Sequence, residues 1–153
     1  MIGTMPSEPY LKTLRELARC YQAFEAYSAA YIRRLGLTPP QFDVIATLGN
    51  TPGMSFKELG EQTLITKGTL TGVIDRLEEK GLTRRVASAT DRRSTRVELT
   101  PAGDALFQRI FPGVVAHGRR AFGRLSPAEL AELEAGLARL RAAFAAASQE
   151  ENE

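Results

Sequence analysis

Residues 55–100 switch hydrophobic period once, from helical to alternating, and a chain that does so after two short helices has few ways to close a core. Ser55 precedes Glu58 by three residues, the spacing of a capping box. Phe56 and Leu59 then face inward, and the pattern fades near Thr63. A three-residue connection, Leu64-Ile65-Thr66, leads to a second helix. Its apolar positions Leu70, Val73, Ile74 and Leu77 form a single stripe at i, i+3, i+4 and i+7. Gly81 closes it as a C-cap glycine.

Two strand-like runs follow, Thr83 to Val86 and Ser94 to Leu99. The second alternates Arg96 out, Val97 in, Glu98 out and Leu99 in. The loop between them holds Asp91, Arg92 and Arg93. From Lys80 to Arg96 there are six cationic residues against Asp91 alone, so this stretch is strongly positive in a chain of net charge +2. A helix-turn-helix followed by a basic hairpin is the footprint of duplex DNA binding, because each cation set on a phosphate releases condensed counterions.

The second helix supplies a reading face. Thr66 stands where an N-cap belongs, and with Lys67 and the first backbone N–H groups it is expected to hold a phosphate. Gly68, Thr69, Thr71 and Gly72 would lie nearest base edges, as the N-terminal part of a recognition helix does. Ser55, Arg76 and Arg85 complete the expected DNA-binding set. The alternative is a helix pair whose small residues serve packing alone, in a winged module used only for protein contacts.

Gly81-Leu82-Thr83-Arg84-Arg85, Asp91-Arg92-Arg93 and Val97-Glu98-Leu99-Thr100 resemble the wing signature of the MarR family of transcriptional regulators. Leu37-Thr38-Pro39-Pro40-Gln41-Phe42, Glu58-Leu59-Gly60 and Leu77-Glu78-Glu79-Lys80-Gly81 are similar to that family in the same order. Thr83 departs from the aliphatic residue common at its position. The resemblance implies that Arg93 enters the minor groove with Asp91 orienting it, while Arg92 and Arg85 touch phosphates. It further implies a mainly α fold with a small β wing, and a dimer interface built from helices of both termini.

The flanks carry the pattern such an interface needs. From Tyr10 to Leu35 the chain reads as one long helix in which Leu14, Leu17, Tyr21, Phe24, Ser28, Tyr31 and Leu35 alternate spacings of three and four. Thr38 and Gln41 frame a capping box with Pro39 at the first helical position. After the wing, Thr100-Pro101 starts a helix that Pro112-Gly113 should kink or break. Ser126, Pro127 and Glu129 start a last helix, whose Leu130, Leu133, Leu137, Leu140 and Phe144 form a second seam before a frayed acidic tail from Ser148. The expected organisation is a dimerisation helix over 1–36, a winged helix-turn-helix over 37–100 and dimerisation helices over 101–153. A two-fold dimer would face a pseudo-palindromic operator.

Other chemistry finds little material. The chain holds one histidine and one cysteine, and has no H-E-x-x-H, C-x-x-C or phosphate-loop spacing, so no catalytic residue, cofactor or metal is expected. Neither a membrane span nor a secretory leader is apparent, which points to the cytoplasm. In one branch of the family a first-helix cysteine senses hydroperoxides. Cys20 is the candidate for that role here, against a reading as a packing residue. Tyr27, Tyr31, Arg34 and His117 are candidates to line a site for a small phenolic or anionic effector. Such a ligand would release a repressor by preferring its DNA-incompetent state.

Overall fold

The computed structural model describes residues 8–87 and 95–153, with the side chain of Lys67 outside the description. In chain order the elements are α1 (Tyr10–Arg34), α2 (Pro39–Leu48), β1 (Met54–Ser55), α3 (Phe56–Gln62), α4 (Lys67–Glu79), β2 (Thr83–Ala87), β3 (Thr95–Leu99), α5 (Pro101–Phe122) and α6 (Pro127–Glu151). The chain divides after Val114 into two compact units.

Three of the helices start where local chemistry dictates. Capping boxes are complete at Thr38 with Gln41, Ser55 with Glu58 and Ser126 with Glu129. Each joins two backbone donors to side-chain acceptors at a helix end that would otherwise leave them open. Helix α4 ends in a Schellman arrangement: the Gly81 N–H donates to Glu78 O at 2.9 Å and the Leu82 N–H to Leu77 O at 2.9 Å. Gly81 has φ +75°, a left-handed conformation that suits glycine.

The three strands form an antiparallel sheet in the order β1-β3-β2. Met54 pairs with Val97 and Ser55 with Arg96, while β2 meets β3 from Thr83 opposite Leu99 to Ala87 opposite Thr95. Ser55 therefore both ends a strand and caps α3. Under the sheet lies the core of the first unit, in which Val44, Ile45, Leu48, Leu59, Ile74, Leu77 and Val97 are fully enclosed. Phe107 and Ile110 of α5 and Ile32 of α1 extend it. The Thr100 hydroxyl donates to Gly81 O at 2.7 Å and accepts from the Gly103 N–H at 3.0 Å, which ties the end of the hairpin to α5.

Only the last turns of α1 are covered: Ala29 and Ile32 are buried, whereas Leu14, Tyr21 and Phe24 are exposed. In the second unit, α6 has no buried residue, and Leu133, Leu137 and Phe144 are exposed.

Two expectations need correction. Pro112 does not break α5, which runs unbroken from Pro101 to Phe122. Pro112 and Gln108 are both exposed, so the Gln108 carbonyl that loses its donor lies on the water-facing side, where the loss is tolerated. The acidic tail is helical to Glu151, since Gln149, Glu150 and Glu151 are good helix formers.

Candidate nucleic-acid interface

Helix α4 shows two faces. Leu70, Ile74 and Leu77 are buried, whereas Gly68, Thr69, Thr71, Gly72, Asp75 and Arg76 are exposed. A Cβ built on Gly68 or Gly72 would meet nothing within 4 Å, so packing inside the chain does not demand either glycine. Thr66 holds the N-cap position without a side-chain capping bond. Its hydroxyl lies 2.9 Å from that of Thr69 instead, so the two exposed threonines present a joined pair of hydroxyls at the head of the helix. Ser55 is half-buried, its oxygen engaged with the Glu58 N–H.

The basic stripe is less free than its sequence suggests. Arg84 Nε lies 2.7 Å from Glu98 Oε1, and Arg96 Nη2 lies 3.4 Å from Glu98 Oε2. Arg85 pairs with Asp75 at 2.6 Å and Glu78 at 3.4 Å. Lys80 Nζ donates to Gly36 O at 3.1 Å and Gln41 Oε1 at 3.2 Å. Each described cation of the stripe thus has a partner within the chain. Asp91, Arg92 and Arg93 lie outside the described residues.

Sequence reasoning missed the carboxylate that sets the turn. Asp43 Oδ2 accepts from the Leu64 N–H at 2.8 Å, fixing the connection between α3 and α4 to α2. Burial pushes the Asp43 carboxyl up from its ordinary value, partly offset by bonds from the Leu64 N–H and Thr47. A spacing of 21 residues leaves no local signal for this contact.

Of the effector candidates, Tyr31 and Arg34 are brought together, with the guanidinium 5.4 Å from the ring centroid. Tyr31 packs against the core beside Gly113, and Tyr27 is exposed one turn earlier on α1. His117 is half-buried in the second unit. Cys20 is exposed, not packed within the chain, because the core covers α1 only at its C-terminal end. Among the described residues no group of three or more His, Cys, Asp or Glu is placed to hold a metal. No described helix is long and apolar enough to cross a membrane.

Residues 37–95 match the MarR family. Over 124 residues the chain is 33% identical to the HTH-type transcriptional regulator MhqR of Bacillus subtilis, covering 81% of this chain and 86% of that protein. The chain belongs to the MarR family. It is thus a DNA-binding transcriptional regulator with a mainly helical winged-helix fold, and not an enzyme. The homoprotocatechuate degradative operon repressor of Escherichia coli is 31% identical over 93 residues, covering 61% of this chain and 63% of that one. BpsR of Bordetella bronchiseptica, whose DNA binding is regulated by 6-hydroxynicotinic acid, superposes with a TM-score of 0.78 at 30% identity. That match covers 90% of this MarR-family chain and 98% of BpsR.

Proposed function

We propose that this MarR-family regulator is a cytoplasmic homodimeric repressor that binds a pseudo-palindromic operator and is released by a small hydroxylated aromatic acid. The observation that carries the reading is the exposed, small, hydroxylated face of α4, backed by the buried Leu70, Ile74 and Leu77. Such a face approaches a major groove without steric cost, with Gly68, Thr69, Thr71 and Gly72 at base edges and Thr66, Lys67, Ser55 and Arg76 toward the backbone. The roles assigned to Arg93 and Arg92 are minor-groove entry and phosphate contact, as the family resemblance implies.

Dimerisation is supported by the exposed apolar residues of α1 and of α6, which are too large and too regular for solvated surfaces. On this reading residues 1–36 and 101–153 serve the interface and 37–100 the DNA. The effector class is supported by BpsR, whose DNA binding 6-hydroxynicotinic acid regulates, with Tyr27, Tyr31 and Arg34 of the first unit offered as contacts.

Selection of genomic fragments by the purified protein at moderate salt tests the proposal. An enriched pseudo-palindrome that a hydroxybenzoate-type acid displaces is the expected result. Retention without sequence preference would defeat it and favour a non-specific architectural role.

A further inference from the structure

Arg85 stands at a three-way junction. From β2 it reaches Asp75 Oδ1 through Nη2 at 2.6 Å and Glu78 Oε1 through Nε at 3.4 Å, two carboxylates one turn apart on α4. Its guanidinium carbon also lies 5.3 Å from the centroid of the Phe56 ring, in the first turn of α3. One side chain of the hairpin thus touches both helices of the helix-turn-helix. Its side chain is 35% exposed and its planar fork is occupied on two edges and one face.

We propose that Arg85 is a positioning residue that sets the angle between the wing and α4, and that it does not act as a phosphate contact. The proposal rests on the DNA-binding reading above. Asp75, Glu78 and Arg85 together carry a net negative charge, so a phosphate approaching Arg85 meets a cation already paired within the chain. Asp75 would otherwise leave a carboxylate on the face that reads DNA; Arg85 masks it. The hairpin leaves α4 at the Gly81-Leu82 corner, where the backbone bonds to Glu78 and Leu77 fix its start. Beyond that corner, at Arg85, the ion pairs oppose a pivot of the strand away from α4. Two grooves can be engaged together only when wing and helix hold one separation.

The test uses the full chain with Arg85→Ala, Arg85→Lys and Asp75→Asn. Hydrogen exchange of the free proteins is read over residues 83–87, with α2 and α3 as internal references. Binding is measured across a salt series, to the duplex most enriched from genomic DNA and to a scrambled duplex of equal length. A clamp predicts faster exchange over 83–87 in all three variants with the references unchanged. It also predicts a roughly tenfold loss of affinity for the enriched duplex in each, the size of one coupled polar pair. The loss for the scrambled duplex should be smaller than for the enriched one, and the salt slope should stay as in the parent.

A phosphate contact predicts the reverse: Arg85→Lys near the parent, Asp75→Asn tighter, and Arg85→Ala with a slope shallower by about 0.9. That pattern overturns the proposal, as does faster exchange throughout the domain, which would mark general destabilisation. A parent protein that retains no duplex defeats the DNA-binding reading instead, and the exchange data alone then decide the clamp.

Discussion

The Asp43 carboxylate accepts the Leu64 N–H at 2.8 Å, so α2 holds the turn that separates α3 from α4. The carboxyl is partly withdrawn from water, and the withdrawal outweighs its hydrogen bonds: it titrates above its ordinary value. The native state then binds the proton more tightly than the unfolded chain. Stability is highest with Asp43 protonated and falls as pH rises from the ordinary aspartate value through the raised one.

Asp43→Asn keeps an acceptor for Leu64 and removes the titration. Its urea midpoint at pH 7 should equal or exceed that of the parent, and the gap should narrow as pH falls through the raised value toward the ordinary aspartate range, where the parent regains its proton. A variant clearly less stable at pH 7 would show that the charged hydrogen bond outweighs the burial.

Thr83 is buried, and its hydroxyl has no hydrogen-bond partner among the described residues. An unsatisfied buried hydroxyl costs about 1–3 kcal/mol. Thr83→Val replaces it with a methyl of the same shape and should stabilise the protein by ~1 kcal/mol, read as a raised midpoint in thermal melts. An unchanged or lowered midpoint would mean that the hydroxyl is satisfied.

Gly72 lies in the middle of α4 with open space where a Cβ would stand. A mid-helix glycine is less favourable than alanine by about 1 kcal/mol. Gly72→Ala should therefore raise stability by up to ~1 kcal/mol. It should also lower operator affinity by roughly tenfold, the scale of one disturbed base-pair contact. If calorimetry shows the gain and binding is untouched, DNA does not approach this glycine.

Leu137 is 57% exposed on α6, so a polar group there costs the single chain little. Leu137→Asp should weaken dimerisation at least roughly tenfold while leaving helix content intact, as expected for a buried apolar anchor of an interface. Sedimentation velocity with circular dichroism checks both. A dimer of parent-like strength would move the interface away from this seam.

Much of the fold was legible because its signals are local. Ser55 with Glu58, Thr38 with Gln41 and Gly81 after Glu79 announce helix ends within three or four residues, where hydrogen-bonding geometry permits little else. Strand β1 was not legible: Met54 and Ser55 become a strand only by pairing with Val97 and Arg96, some forty residues on. The charge reading was misled for a related reason. A window from Lys80 to Arg96 counts Asp91 alone, whereas folding brings Asp75, Glu78 and Glu98 to its arginines. The exposed face of α4 was readable from helical period. The state of its N-cap was not, since the Thr66 and Thr69 hydroxyls pair with each other.

The strand order β1-β3-β2 leaves the sheet with two open edges, and unpaired backbone along an edge is a template for a strand from another molecule. Here one edge, β1, is only two residues long, too short to seed an added strand. The other, β2, carries Arg84 and Arg85 side by side, both held in ion pairs within the chain, and a strand laid against it would have to accommodate these charged side chains. The protein can therefore carry a β-hairpin on its surface with little tendency to grow into cross-β aggregates when its concentration rises, and the proposed dimer would be built by its helices alone.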